Sequence, residues 1–229
     1  MKRPIRAGIV GAGMTVPWFL EAAAQIPEME IGALFARKEE KRKELCEKYQ
    51  VPVSCGSYEK LLADESLDVL YLPLPNHLHY SFTKRALEAG KHVILEKPFT
   101  VTYAEAKELA ELAEAKNLIL FEAITNQYNP NYEKVRELLP KVGDVKIVQL
   151  NYSQYSSRYD AFKQGIVAPV FDAEKAGGAL MDLNVYNIHF VTGLFGEPKA
   201  VHYYPNMERG VDTSGILVME YPSFQCVCI

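Results

Sequence analysis

The 229-residue sequence is short of cysteine, of net positive charge and of long apolar runs, and each shortage removes a class of function. Its four cysteines, Cys46, Cys55, Cys226 and Cys228, match neither a paired zinc spacing nor a dense disulfide framework. A chain of this length has core enough to fold without such staples, and a reducing cytoplasm is the expected compartment. Lysine and arginine number 25 against 29 aspartates and glutamates, a formal charge of -4, so there is no basic field to attract a phosphate backbone. Nucleic acid is therefore not an expected partner. No stretch reaches the roughly 18 apolar residues that span a bilayer, and no membrane role is expected. A GxSxG elbow and a Walker-type lysine loop are also missing, which leaves hydrolase and nucleoside-triphosphatase readings without support. His77 and His79 have no cysteine or carboxylate at ligand spacing, so no metal is expected.

What is present is the balance of an ordinary globular protein, 48% hydrophobic and 24% charged, enough for one domain and part of a second at roughly 150 residues each. Lys2, Arg3 and Arg6 ahead of the uncharged stretch 7–20 imitate a leader peptide. Gly8, Gly11, Gly13 and Pro17 would interrupt its apolar helix, and the stretch reads better as a strand, a glycine turn and a helix start.

Along 1–123 strand-like and helix-like segments alternate. Strands are expected over 5–10, 30–35, 68–72, 93–96 and 118–121, with helices over 17–25, 38–49 and 57–63. A further helix runs from an Asn76 cap to Gly90, and another opens with the Thr102–Glu105 capping box and runs to 116. The rhythm predicts an α/β domain with a doubly wound parallel sheet. After Asn129 and Pro130 the character changes: a short helix to 139, strands over 145–155, 199–204, 216–221 and 224–229, and a helix over 181–195 stopped by Gly196 and Pro198. This predicts a second, α+β domain over 124–229 with an open, mainly antiparallel sheet, which the chain leaves while still building it.

Gly11-Ala12-Gly13 falls between the first strand and the first helix, where a tight turn lets backbone amides meet a pyrophosphate. The third position of GxGxxG is Val16, so the pattern is incomplete. After the second strand, where an acid usually receives the adenosine ribose, stand Arg37 and Lys38. These either bind a 2′-phosphate, favouring NADP over NAD, or simply solvate the helix start.

KHVILEKP, ending in Glu96-Lys97-Pro98, together with LPNHLH at 74–79 and GGALMD with Tyr186, resembles the Gfo/Idh/MocA oxidoreductases. The resemblance runs from Ile5 to Ile229. It implies a Rossmann-type domain joined to an open-sheet domain, and hydride transfer between a nicotinamide and a sugar, polyol or similar alcohol or carbonyl. It places Pro75, Asn76, His79, Glu96 and Lys97 at the cofactor, which joins them to the glycine turn of Gly11, Gly13 and Met14 and to Arg37 and Lys38 as the cofactor-binding set, and it suggests a cis Lys97-Pro98 bond. It makes Lys97, Tyr186 and Asp182 catalytic: Lys97 stabilises the reacting oxygen, Tyr186 carries its proton, and Asp182 orients Lys97 or a substrate hydroxyl. Asp182, Tyr186 and His189, spaced i, i+4 and i+7, are expected on one helical face. His189 is either an auxiliary acid/base or a hydrogen-bonded core histidine. Asn184 stands where the family usually has glycine and is tolerated if its backbone is left-handed. Tyr152, Tyr155 and Tyr159, with Arg158, either line a polyol site or, with the uncovered sheet face, form a homo-oligomer interface, the reading favoured here. Family members are generally longer, so a truncated, inactive product is one alternative and a non-catalytic dinucleotide sensor another.

Overall fold

The computed structural model describes residues 3–229; Met1 and Lys2, including the lysine of the leader-like start, lie outside them. The chain divides into two compact units, 1–123 and 124–229. No helix among the described residues is long and apolar enough to cross a membrane.

In the first unit the described residues form β1 (Ile5–Val10), α1 (Thr15–Ala23), β2 (Met29–Phe35), α2 (Glu39–Lys48), β3 (Val53–Cys55), α3 (Tyr58–Leu62), β4 (Val69–Leu72), α4 (His79–Glu88), β5 (His92–Glu96), α5 (Tyr103–Ala115) and β6 (Leu120–Ala123). The sheet is parallel throughout, in the order β3-β2-β1-β4-β5-β6. Side chains of a strand alternate between faces, and here both faces are covered. Val10, Leu70, Leu72 and Leu95 join Leu87 of α4 and Leu109 of α5 in one core. Ile9, Leu34 and Tyr71 point the other way, into a core with Val16 and Leu20 of α1 and Leu45 of α2. The leader-like segment is thus the central strand, with Ala7, Ile9 and Val10 fully buried. Chain direction across the sheet reverses between β1 and β4, which opens a crevice at their carboxyl ends.

Two helix starts contrast. α5 has its capping box, Thr102 accepting from the Glu105 N–H and Glu105 reaching back to the Thr102 N–H. Asn76, expected to cap α4, instead begins a 3-10 turn over Asn76–Leu78; Leu78 holds the cap position and no side chain caps the helix.

The second unit contains α6 (Pro130–Leu138), β7 (Ile147–Leu150), α7 (Tyr159–Lys163), α8 (Val185–Phe195), β8 (Ala200–Glu208), β9 (Val211–Glu220) and β10 (Gln225–Cys228). The sheet order is β7-β10-β9-β8, with β8, β9 and β10 antiparallel and β7 parallel to β10. The strand expected over 145–155 stops at Leu150. Just beyond it Asn151 Oδ1 accepts the Ser153 N–H at 2.9 Å, a local turn that competes with the ladder. β8 runs past 204 because Pro205 lies on an edge strand, where a missing N–H is tolerated. Arg209 and Gly210, with φ of 50° and 82°, then close a tight hairpin. Val148, Leu217, Met219, Cys226 and Cys228 pack with Ile188, Val191 and Phe195 of α8. Tyr204 and Ile216, paired neighbours on the opposite face, are 62% and 45% exposed.

The capping box gives a direct test of local encoding. Thr102→Ala should lower stability by about 1 kcal/mol in urea unfolding with an unchanged denaturant slope, and Thr102→Ser should restore most of it. An unchanged midpoint for Thr102→Ala would show that tertiary packing alone sets this helix start.

Candidate active site

The carboxyl edge of the parallel sheet gathers the chemistry-bearing residues of the first unit. β1 turns at Gly11, whose N–H donates to Phe35 O at 2.7 Å. Its φ is +140°, and a Cβ there would stand 2.7 Å from the Pro73 carbonyl oxygen, so the turn requires glycine. Gly13 differs: a Cβ would meet only Pro73 O, at an ordinary 3.7 Å, so the chain itself leaves room above it. Met14 sits at the cap position of α1 without a side-chain capping bond, and the first turn of α1 holds no acid. An exposed glycine backbone facing helix N–H groups with no anionic side chain among them suits a pyrophosphate. The residues present fit the dinucleotide that this sheet order implies. Val16, in place of the third glycine, is buried between α1 and the sheet.

At the end of β2, Arg37 and Lys38 are exposed, and neither side chain makes a hydrogen bond or ion pair among the described residues. The backbone beneath them is fixed by Arg42, a residue the sequence pattern did not single out. Buried on α2, it donates to Ala36 O at 2.8 Å and to Ser54 Oγ at 3.0 Å.

At the ends of β4 and β5 the Lys97-Pro98 peptide is cis. Glu96 accepts from Tyr71 Oη and, at 3.3 Å, from the Lys97 N–H, while the Tyr71 ring stacks on Phe19 at 4.0 Å. Lys97 is half-buried, as are Pro75 and Asn76. His79 is fully buried, its ring nitrogens 2.8 Å from Pro98 O and Leu74 O, so it clamps the Glu96-Lys97-Pro98 turn to the loop after β4. Burial pushes its imidazole below the ordinary value, opposed by the bonds to those carbonyls.

In the second unit the helix expected over 181–195 is broken in kind. Leu180–Asn184 is a π-helical turn that runs into α8. Asp182 falls within this turn, whereas Tyr186 and His189 stand on α8. Asp182 lines a hollow of about 250 Å³ with Tyr155, Tyr159, Phe171 and Glu208. Tyr186 opens onto another, of about 360 Å³, with Tyr152 edge-on at 5.1 Å. His189 is half-buried, and its carbonyl accepts from Gln127 Nε2 at 2.8 Å. Asn184 is right-handed, with φ of -69°, so no left-handed backbone is needed. Its side chain donates to Cys228 O at 3.3 Å and accepts from Asn187 at 2.9 Å, pinning the helix to β10. The start of the π-turn is held by Asp212, which accepts from the Leu180 N–H at 2.8 Å and from Tyr203 Oη at 2.6 Å.

Sheet order, glycine turn and uncapped helix define a dinucleotide-binding Rossmann domain followed by an α+β domain. Residues 5–124 match the oxidoreductase family with an NAD-binding Rossmann fold, and residues 132–228 match the GFO/IDH/MocA C-terminal domain. The chain is 35% identical over 225 residues to the scyllo-inositol 2-dehydrogenase (NADP(+)) IolU of Bacillus subtilis, covering 97% of this chain and 68% of that protein. It is 30% identical over 234 residues to the trans-1,2-dihydrobenzene-1,2-diol dehydrogenase of Mus musculus, again with 97% and 68% covered. The crystal structure of the oxidoreductase yvaA of Bacillus subtilis shares the fold, with a TM-score of 0.81 at 23% identity over 98% of this chain and 63% of that one. The chain therefore belongs to the GFO/IDH/MocA oxidoreductase family, and it spans about two thirds of the length of these relatives.

The buried imidazole has a consequence for pH. Because His79 takes up its proton less readily folded than unfolded, the unfolded chain binds more protons below about pH 6.5, and stability falls as pH drops through that range. Urea unfolding at a series of pH values should show this slope, and His79→Gln should flatten it. An identical pH dependence in the variant would remove His79 as its source.

Proposed function

We propose that the protein is an NADP-dependent oxidoreductase that moves a hydride between nicotinamide C4 and a carbinol or carbonyl carbon of a sugar, polyol or related small molecule. One observation carries the reading: the glycine turn after β1, Arg37 after β2 and Lys97 after β5 all stand at the carboxyl ends of strands in one parallel sheet, the edge where such sheets bind ligands. The cofactor, when bound, supplies or accepts the hydride. The N–H groups from Gly11 to the start of α1, past Met14, hold the pyrophosphate. Arg37 forks onto the 2′-phosphate, with Lys38 adding charge and Arg42 keeping the strand end in place. Pro75, Asn76 and Glu96 border the nicotinamide side, and His79 keeps their loops together.

Lys97 hydrogen-bonds the reacting oxygen and stabilises alkoxide charge as it develops. Tyr186 carries the hydroxyl proton, and Asp182 orients Lys97 or a substrate hydroxyl. NADP is supported by the name of the inositol dehydrogenase relative, and a ring carbinol is the chemistry that its substrate shares with a dihydrobenzenediol. All four cysteines are buried free thiols, in keeping with a cytoplasmic setting. The apolar sheet face around Tyr204 and Ile216 is the surface through which a homodimer would form.

NADPH should bind more tightly than NADH, and Arg37→Ala should weaken NADPH at least tenfold, roughly the value of a charged hydrogen bond, while leaving NADH nearly unchanged. Equal affinities in the unsubstituted chain would overturn the cofactor assignment. Lys97→Ala and Tyr186→Phe should each lower kcat by on the order of 10² with NADPH binding largely retained. Cofactor binding without turnover on any polyol or keto-sugar would favour a sensor instead.

A further inference from the structure

The hollow onto which Tyr186 opens is walled by four asparagines, Asn126, Asn129, Asn151 and Asn187, beside Tyr152, and no charged side chain lines it. Each amide is half used. Asn129 Oδ1 accepts the Asn131 N–H at 2.9 Å and Asn151 Oδ1 accepts the Ser153 N–H at 2.9 Å, which leaves both NH2 groups as donors. The other two are used in the opposite sense. Asn126 Nδ2 donates to Tyr186 O at 2.7 Å, and Asn187 Nδ2 donates to Asn184 Oδ1 at 2.9 Å and Ile229 O at 3.1 Å. Asn126 Oδ1 has no donor among the described residues.

The spare donors of Asn129 and Asn151, set among aromatic rings, match hydroxyl oxygens, which accept them without bringing a charge into the hollow. A phosphate or carboxylate would enter a wall without a cation and lose its hydration uncompensated. The neighbouring hollow of Asp182 is a poorer candidate, because its polar groups largely satisfy one another. Glu208 there already accepts from Tyr159 Oη at 2.6 Å and Thr213 Oγ1 at 2.8 Å.

We infer that the amide-walled hollow is the substrate-recognition subsite and that it selects a neutral polyhydroxylated ring over its phosphorylated or carboxylated counterpart. The inference rests on Tyr186 being the proton carrier, since that residue ties the hollow to the reaction. Asn129 and Asn151 are then specificity-determining residues that give hydrogen bonds to substrate hydroxyls.

The test uses the full chain saturated with NADP. Binding is followed by calorimetry and turnover by NADPH absorbance, with scyllo-inositol, myo-inositol and glucose compared against myo-inositol 1-phosphate and glucuronate. Asn129→Asp and Asn151→Asp keep the turn-forming oxygen and replace the donor by a charged acceptor, so the loss is read with the neutral rings; unfolding midpoints check that both variants fold. At least one neutral ring should bind at least tenfold more tightly than its anionic counterpart. Each variant should raise KM and Kd for that ring about tenfold while kcat changes little and NADP affinity stays the same. Anionic rings binding as well as neutral ones, variants without effect, or no ring binding at all would overturn the inference. Binding that the variants weaken, but with no turnover, supports the subsite and rejects the oxidoreductase reading. Turnover that the variants leave untouched does the reverse.

Discussion

The carbonyl oxygen of Pro73 stands where a side chain at position 11 would be, and the organisation of the first unit follows from that approach. For β1 to lie beside β4 and still turn into α1, its backbone must pass over the end of β4 with no Cβ between them. The glycine conformation at +140° then turns the chain so that the N–H groups beyond it point out of the sheet edge. Gly11 also donates to Phe35 O, so the same residue couples the ends of β1 and β2. A single close contact thus sets three neighbouring strand ends, from which Arg37, the loop after β4 and the glycine turn emerge. A side chain at 11 would push the turn off β4 and misplace all of them together. A side chain at 13 would meet little protein and obstruct only what binds there.

Buried cationic and imidazole side chains hold that edge and its opposite. Arg42 secures the carboxyl end of β2 through Ala36 O, and His79 joins the loops after β4 and β5 through two carbonyls. Lys91, beside the amino end of β5, donates to Asp64 O at 2.6 Å and Leu67 O at 2.9 Å. Each takes a polar group out of water, which costs stability unless partners replace the lost hydration. In return each satisfies loop carbonyls that no ladder reaches. The apolar strands between these clamps could pack in several small variations. The clamps select the one in which the loops at the strand ends are rigid.

How much of this was legible depended on how far apart the partners lie in sequence. Continuous apolar runs such as Val69–Leu72 and the capping box at Thr102 carry their signal within a few residues, and those elements stand where the sequence placed them within a residue or two at each end. The glycine turn at Gly11 is local in the same way, and the cis Lys97-Pro98 bond follows the expectation from the family resemblance. Asn76 was misread because a cap and the start of a 3-10 turn have the same composition. The strand over 145–155 was overextended because alternation continues past the Asn151 turn. Asn184 was read as a backbone problem, whereas its role is a hydrogen bond to Cys228, 44 residues away. His79 and Asp212 act across 19 and 32 residues, beyond the reach of any spacing rule.

The π-turn over Leu180–Asn184 is where local strain and chemistry meet. Such a turn is less stable than α-helix and persists where other contacts enforce it. Here Asp212 fixes its first N–H and Asn184 ties its last residue to β10. Asp182, within this turn, and Tyr186, just beyond it, line different hollows. The π-turn therefore stands because two hydrogen bonds from distant parts of the chain, one at each end, replace the support that an α-helical turn would draw from its own backbone.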